Sequence, residues 1–209
     1  MKRAARRWSE DDFRLLADRL RPFISPEGLL LDLGGGTGDL GAGVARALGA
    51  RVVVVDPVRQ MLLRAPADPL VSVRLASADA LPFPDGHFDA LLCSDAFHHF
   101  RDQDAAVREM ARVVRVGGGI LILEMDATGW TRLVAALERM VGEPAAFRTA
   151  AELERFLADR GILGTISGQR GPSYSFVGSV LRPLQPGSSS AGVGHLHQPE
   201  RGEDDRRSS

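Results

Sequence analysis

Asp32 places a carboxylate directly after the apolar residues Leu29, Leu30 and Leu31, and a glycine run follows almost at once in LLLDLGGGTGDL. A carboxylate at the end of a buried strand is costly unless a cation or a hydrogen-bond donor meets it. Glycines beside it let the backbone approach a ligand closely and adopt positive φ. The loop amides and the start of the next helix, from Asp39, can then face a nucleotide or an amino-acid group. Two spacings overlap here. Gly36, Gly38 and Gly41 satisfy G-x-G-x-x-G, with Asp56 lying 20 residues after Gly36. Asp32, Gly34, Gly36 and Gly38 satisfy D-x-G-x-G-x-G. Further along, Asp79 with Ala80, and the run Ser94-Asp95-Ala96-Phe97-His98-His99, follow two more apolar stretches. His98, and after it His99, are the candidates for a general base, because the C-terminal edge of an open α/β sheet is where such sites form. Asp95 is the catalytic-site candidate that would orient a polar group of the substrate or bind a helix N-terminus. Adjacent histidines point in different directions, so one of them serves equally well as a packing residue. No Cys or carboxylate stands at metal-ligand spacing beside them, and no metal site is expected.

The elements that must position these residues alternate. Ser9 with Asp12 resembles a capping box, and Phe13, Leu16, Ala17 and Leu20 recur at helical spacing until Pro22. Strands are expected at 29–33, 52–55, 70–75, 88–93 and 120–123, with helices at 39–48, around Met61, and from Asp102 to a glycine stop at 117–119. Strand and helix in turn argue for right-handed βαβ units and a mostly parallel sheet. A helix at 130–141, a capped helix from Thr149 with Glu152, and an antiparallel strand pair at 162–166 and 174–181 complete the pattern. The pair is expected at the sheet edge. From Pro186, Pro, Gly, Ser and mixed charges replace apolar residues, so the expected organisation is one domain over 1–185 and a disordered tail over 186–209.

The bulk numbers exclude several classes. A formal net charge of −1 gives no electrostatic ground for a nucleic-acid partner. Lys2 is the only lysine, and the arginine richness reads as compositional bias rather than as a phosphate site. One cysteine, Cys93, cannot form an internal disulfide. No apolar run reaches the roughly 20 residues that cross a bilayer. The basic N-terminus meets Glu10, Asp11 and Asp12 without an apolar region, unlike a secretory signal. A cytoplasmic protein is expected.

Three features separate the two glycine-loop readings. An amino-acid ammonium would satisfy Asp32, whereas a pyrophosphate would be repelled by it. Asp79 suits the amino group of an adenine. A dehydrogenase needs a substrate domain, and only about 60 ordered residues follow the fifth strand. These favour S-adenosylmethionine over NAD.

The chain resembles the class I S-adenosylmethionine-dependent methyltransferases, particularly the small-molecule group that includes the ubiquinone and menaquinone enzymes. The resemblance covers about 29–183 and is carried by LDLGGGTG, VVVVDP, SADALPFPDGHFDALLCSDAFHHF, MARVVRVGGGILILEMD and YSFVGSVLRP. It implies a three-layer, Rossmann-like α/β fold with a seven-stranded, mostly parallel sheet and an antiparallel edge strand. It also implies that Asp32 with Gly34, Gly36 and Gly38 holds the methionine part of the cofactor, that Asp56 accepts the ribose hydroxyls, and that Asp79 and the Ala80 amide read the adenine edge. Ser94 would lie near the methyl group. The acceptor would be a small organic molecule, quinone-like, aromatic or lipid-like, covered by the segment 129–147. Ser94-Asp95-Ala96-Phe97 departs from the Asn/Asp-Pro-Pro-Tyr/Phe tetrapeptide of amino-methylating enzymes, which removes support for amide or adenine methylation. The competing readings are an NAD-linked oxidoreductase and a non-catalytic S-adenosylmethionine-binding module.

Overall fold

The computed structural model describes residues 8–127, 146–170 and 173–181. The helix expected at 130–141 and the tail at 186–209 lie outside the described residues, and so does nearly all of the expected cover segment.

Helix α1 spans Glu10–Leu20 and starts on a complete capping box, in which Ser9 Oγ accepts the Asp12 amide and the Asp12 carboxylate accepts the Ser9 amide. Strand β1 (Leu29–Leu33) leads through the glycine loop into α2 (Asp39–Leu48), and β2 (Arg51–Asp56) leads into the single turn α3 (Arg59–Leu62). Strands β3 (Val71–Leu75) and β4 (Phe88–Ser94) follow. A short 3-10 turn, Phe97–His99, precedes α4 (Gln103–Val113), which Asp102 caps by accepting the Ala105 amide. Strand β5 (Val114–Met125), α5 (Ala150–Ala158) on a Thr149/Glu152 capping box, β6 (Ile162–Arg170) and β7 (Ser173–Val180) complete the chain order.

The sheet order is β3-β2-β1-β4-β5-β7-β6. Strands β1 to β5 run parallel, and β7 enters antiparallel to both β5 and β6. The antiparallel pair therefore lies at the edge, as its short apolar strands imply. The strand opposed to the rest is β7, one place in from the outermost β6.

Strand β6 runs on to Arg170, past the expected 166, and β5 begins at Val114 rather than at 120. The glycines 117–119 do not stop a helix; α4 ends at Val113, and the glycines lie within β5. Phe88 pairs with Val114 while Ala90 pairs with Gly119, so the surplus residues of β5 bulge out there. A Cβ on Gly119 would come within 2.6 Å of the Phe23 ring, which is why a side chain is missing there.

Two cores cover the two faces. Leu16, Leu20, Val44 and Leu48 from α1 and α2 pack on Leu30, Val52, Val54, Leu92 and Leu121. Val107, Met110, Leu153 and Leu157 from α4 and α5 pack on Leu31, Leu33, Leu91, Ile120 and Ile122. Strand alternation thus puts Asp32 on the α2 face of β1 and Glu124 on the α4 face of β5. Burying one such aliphatic side chain contributes about 1.5–3 kcal/mol, so these faces hold the loops above them in register.

Candidate active site

Above the C-terminal ends of β1, β4 and β5 lies a cavity of about 740 Å³. Its walls include Asp32 of β1, Gly34, Gly35 and Thr37 of the glycine loop, Ser94 at the end of β4 with Asp95 after it, Glu124 near the end of β5, Trp8 before α1 and Arg19 within it, and Tyr174 and Ser175 of β7.

Asp32 is 1% exposed, and its Oδ2 has no hydrogen-bond partner. Burial pushes its carboxyl up to about 7, with the nearby Asp56 charge adding to the rise and the Gly41 amide pulling it partly back. The glycines around it make the room. A Cβ on Gly35 would stand 2.4 Å, and one on Gly41 2.3 Å, from Asp32 Oδ2. Gly41 therefore has a local reason that the dinucleotide spacing does not supply: it lets a carboxylate lie between β1 and α2. Gly34, at φ 72, crosses so near β4 that a Cβ would meet Ala96 Cβ at 2.5 Å. Gly36, at φ 58, passes under Met61, whose Cε is 3.2 Å from the place of a Cβ. Gly38 is the N-cap of α2.

Asp56 ties the loop from below. Its Oδ2 accepts the Gly36 amide at 3.0 Å and its Oδ1 accepts the Val58 amide at 2.7 Å. Each oxygen keeps a further lone pair, so the two together suit a vicinal diol above the loop. Asp79 is exposed in the turn after β3, and the Ala80 amide, expected at the adenine edge, donates to the Ser77 carbonyl at 3.2 Å. Neither residue lines the cavity, and neither do Asp56, Gly36 and Gly38; of the expected site residues, Asp32, Gly34, Ser94 and Asp95 do.

Asp95 has φ 52, a left-handed backbone that a short polar side chain tolerates, and its amide donates to the Leu123 carbonyl at 2.9 Å. That turn presents Asp95 to the cavity. His98 is elsewhere. It is 1% exposed, does not line the cavity, and gives Nδ1 to Glu124 Oε2 at 2.8 Å. With Glu124 as an ionised acceptor, Nδ1 is the donor of this contact, and Nε2 is a buried atom without a partner. Phe147 stacks on the ring at 4.1 Å, and the Ala146 amide donates to the His98 carbonyl. Gln103 fastens the same segment by donating to the carbonyls of Phe97 and Ala146.

Glu124 escaped the sequence reading. It is 5% exposed, lines the cavity and also accepts the Phe97 amide at 3.0 Å. Its signal was available: like Asp32, it is the lone acid at the end of an apolar strand. Arg19 had no signal, because the helical pattern marks it as a solvated position. The buried Cys93 thiol is pushed well up by desolvation, then by Glu124, Asp32 and Asp95, and is inert as a nucleophile.

This sheet order, with a glycine loop after β1 over the buried Asp32 and with Asp56 at the end of β2, is that of the Rossmann-like methyltransferase fold. Residues 31–122 match the methyltransferase domain family. The ubiquinone/menaquinone biosynthesis C-methyltransferase UbiE of Serratia proteamaculans is 33% identical over 163 residues, which is 68% of this chain and 65% of that protein. The UbiE protein of Cupriavidus metallidurans is 29% identical over 192 residues, covering 83% of this chain and 75% of that one. The chain thus spans just under two thirds of the Serratia relative. Among solved structures, geranyl diphosphate methyltransferase in complex with S-adenosylmethionine superposes with a TM-score of 0.68 at 16% identity, over 82% of this chain and 85% of that one. An S-adenosylmethionine-dependent methyltransferase from Aquifex aeolicus gives 0.62 at 15% identity, over 84% and 100%. At those identities the two structures establish the fold.

Proposed function

We propose that the chain transfers a methyl group from S-adenosylmethionine to a small organic acceptor by in-line displacement. The observation that carries this reading is Asp32: a buried carboxylate with an unpartnered Oδ2, in a slot kept open by Gly35 and Gly41, on the wall of the cavity. Such a group fits a ligand that brings a positive charge over the glycine loop, as the ammonium and sulfonium of this cofactor do. When bound, the cofactor supplies a methyl group on a good leaving group.

The chain's own residues do the rest. Asp32 offers the countercharge, and the backbone of Gly34, Gly36 and Gly38 leaves room for the amino-acid part. Asp56 holds the loop through the Gly36 amide and accepts the ribose hydroxyls with its remaining lone pairs. Asp79 and Ala80 stand at the adenine end, where Ala80 contributes its backbone and Asp79 its carboxylate. Ser94 and Asp95 face the reacting carbon and the acceptor. His98 acts through Glu124, which it orients toward the cavity. Alignment and exclusion of water account for the rate; effective molarities of roughly 10⁵ to 10⁸ M show how much positioning alone can supply.

Both curated relatives carry a quinone C-methyltransferase name, which supports a quinone-like, aromatic or lipid-like acceptor. A cytoplasmic location belongs to the same reading. Among the described residues no helix is long and apolar enough to cross a membrane. An NAD-linked oxidoreductase is disfavoured by Asp32, which would face a pyrophosphate.

Calorimetry of S-adenosylmethionine, S-adenosylhomocysteine and NAD on the purified protein tests the reading, with Asp32→Ala and Asp56→Ala alongside. Micromolar binding of the first two, weakened by both substitutions, is expected. Binding of NAD alone, indifferent to Asp32→Ala, overturns it. Turnover with candidate quinols then separates an enzyme from a binding module.

A further inference from the structure

The cavity has a second wall, opposite the glycine loop, formed by the last turns of α1 and by the β6–β7 hairpin. Arg19 reaches this wall from α1, and its Nη1 donates to Ser175 Oγ at 2.5 Å. Ser175 is buried and donates in turn to the Ser167 carbonyl, so the anchor belongs to the sheet. Nη2 lies over Gly168, where an added Cβ would stand 3.0 Å from it. Both terminal nitrogens are thereby placed by the hairpin.

Arg19 is the only cationic side chain lining the cavity among the described residues, and none of their carboxylates pairs with it. Of the acids on the same walls, Asp32 keeps an unpartnered Oδ2 and forms no ion pair with Arg19, and three others have partners of their own. Asp12 closes the capping box of α1, Asp39 accepts from Thr37, and Glu124 is held by His98 and the Phe97 amide. Of the other half-buried arginines, Arg112 has Glu109 and Asp85 and Arg160 has Asp104, while Arg148 donates to Gln103 Oε1 and lies over the Phe156 ring. A guanidinium fixed at one end, with its other donors free and facing a cavity, is arranged for a two-oxygen anion. Trp8, Leu15, Leu16 and Leu123 line the space beside it and offer an apolar surface for the body of such a ligand.

We propose that Arg19 holds an acidic group of the methyl acceptor, a carboxylate or a phosphate, so that the acceptor is a small organic acid with an apolar body. The inference rests on the methyltransferase reading and narrows its substrate class. The same anion chemistry exists on the carboxylate of the cofactor itself, and the experiment must part the two sources.

The probes are 4-fluorobenzoate, 4-fluorophenyl phosphate and uncharged 4-fluorobenzyl alcohol, followed by ¹⁹F line broadening on full-length protein saturated with S-adenosylhomocysteine. Variants are Arg19→Gln, Arg19→Lys and Ser175→Ala, each checked for an unchanged thermal transition. At least one anionic probe should bind the wild type more tightly than the alcohol does. Its affinity should fall about tenfold or more in Arg19→Gln, less in Arg19→Lys and Ser175→Ala, with the alcohol unchanged. Should Arg19→Gln fail to fold, the lysine variant carries the comparison, because it keeps the charge and loses the fork. Equal binding of the anions and the alcohol to wild type overturns the proposal. So does a tenfold loss of S-adenosylhomocysteine affinity in Arg19→Gln while 5′-methylthioadenosine, which lacks the amino-acid part, binds as before; Arg19 then serves the cofactor. If wild type binds no S-adenosylhomocysteine, the methyltransferase reading fails by itself, and the anion arm on the protein alone still reports on Arg19.

Discussion

His98 Nδ1 lies 2.8 Å from Glu124 Oε2, and both side chains are buried. The contact joins the turn after β4 to the end of β5, and the Phe97 amide adds a second donor to the same carboxylate. Glu124→Ala leaves both donors buried without an acceptor, at about 1–3 kcal/mol each. A loss of about 3 kcal/mol in urea unfolding is expected, with Glu124→Gln losing less because an acceptor oxygen remains. A loss below about 1 kcal/mol for Glu124→Ala would show that the pair is incidental to the fold.

Asp32 makes the protein pay for its site, and the sign of the pH effect follows. Its carboxyl is raised to about 7, against about 3.9 in an unfolded chain, so between those values the folded state binds the extra proton. Its contribution to stability is therefore most favourable at acid pH and declines as pH rises to 7, flattening above. Asp32→Asn removes that decline. Relative to wild type, the variant should gain about 3 kcal/mol between pH 5 and pH 8, read from urea midpoints. Cofactor binding should show the reverse face of the same linkage: a cation over Asp32 favours its ionised form, so S-adenosylhomocysteine affinity rises from pH 6 to pH 8 in wild type and stays flat in Asp32→Asn. A wild-type affinity independent of pH would mean that the ligand never meets this carboxylate.

What was legible in the chain was what local chemistry decides. Both capping boxes, the limits of α2, and the strand ends at Asp32 and Asp56 follow from side-chain types read over a few residues. The glycines 117–119 misled because helix stop and strand bulge use the same residue; only the pairing of Ala90 with Gly119 and the Phe23 ring distinguish them. In the site, Asp32 was legible from the cost of burying it. That His98 is sealed behind Glu124, that Ala80 gives its amide to Ser77, and that Arg19 faces inward are consequences of packing between elements distant in sequence, which periodicity does not encode.

Gly41→Ala offers a test whose sign is informative. Within an exposed helix, replacing Gly by Ala gains up to about 1 kcal/mol. Here the new Cβ would stand 2.3 Å from Asp32 Oδ2 and 2.8 Å from its Cβ, neither of them the end of a long side chain. Destabilisation of about 2 kcal/mol or more is expected, together with loss of S-adenosylhomocysteine binding. The double variant Asp32→Ala with Gly41→Ala should recover stability beyond additivity, because the first change empties the space the second needs. A neutral or stabilising Gly41→Ala would refute the placement of the carboxylate between β1 and α2.

Asp56 has two tasks that a pair of substitutions can divide. As a brace it holds the Gly36 and Val58 amides; as a ligand group it meets the ribose diol with what remains. Asp56→Ala removes both, and S-adenosylhomocysteine should bind at least tenfold more weakly while the Gly36 amide exchanges faster with solvent in the free protein. Asp56→Asn keeps one acceptor oxygen and supplies donors in place of the other, so it should protect Gly36 partly and still bind weakly, since a diol is better met by two acceptors. Adenosine, which has the ribose and no amino-acid part, should lose affinity in parallel with S-adenosylhomocysteine. If adenosine is unaffected while Gly36 exchange quickens, Asp56 serves the loop alone and the ribose is held elsewhere.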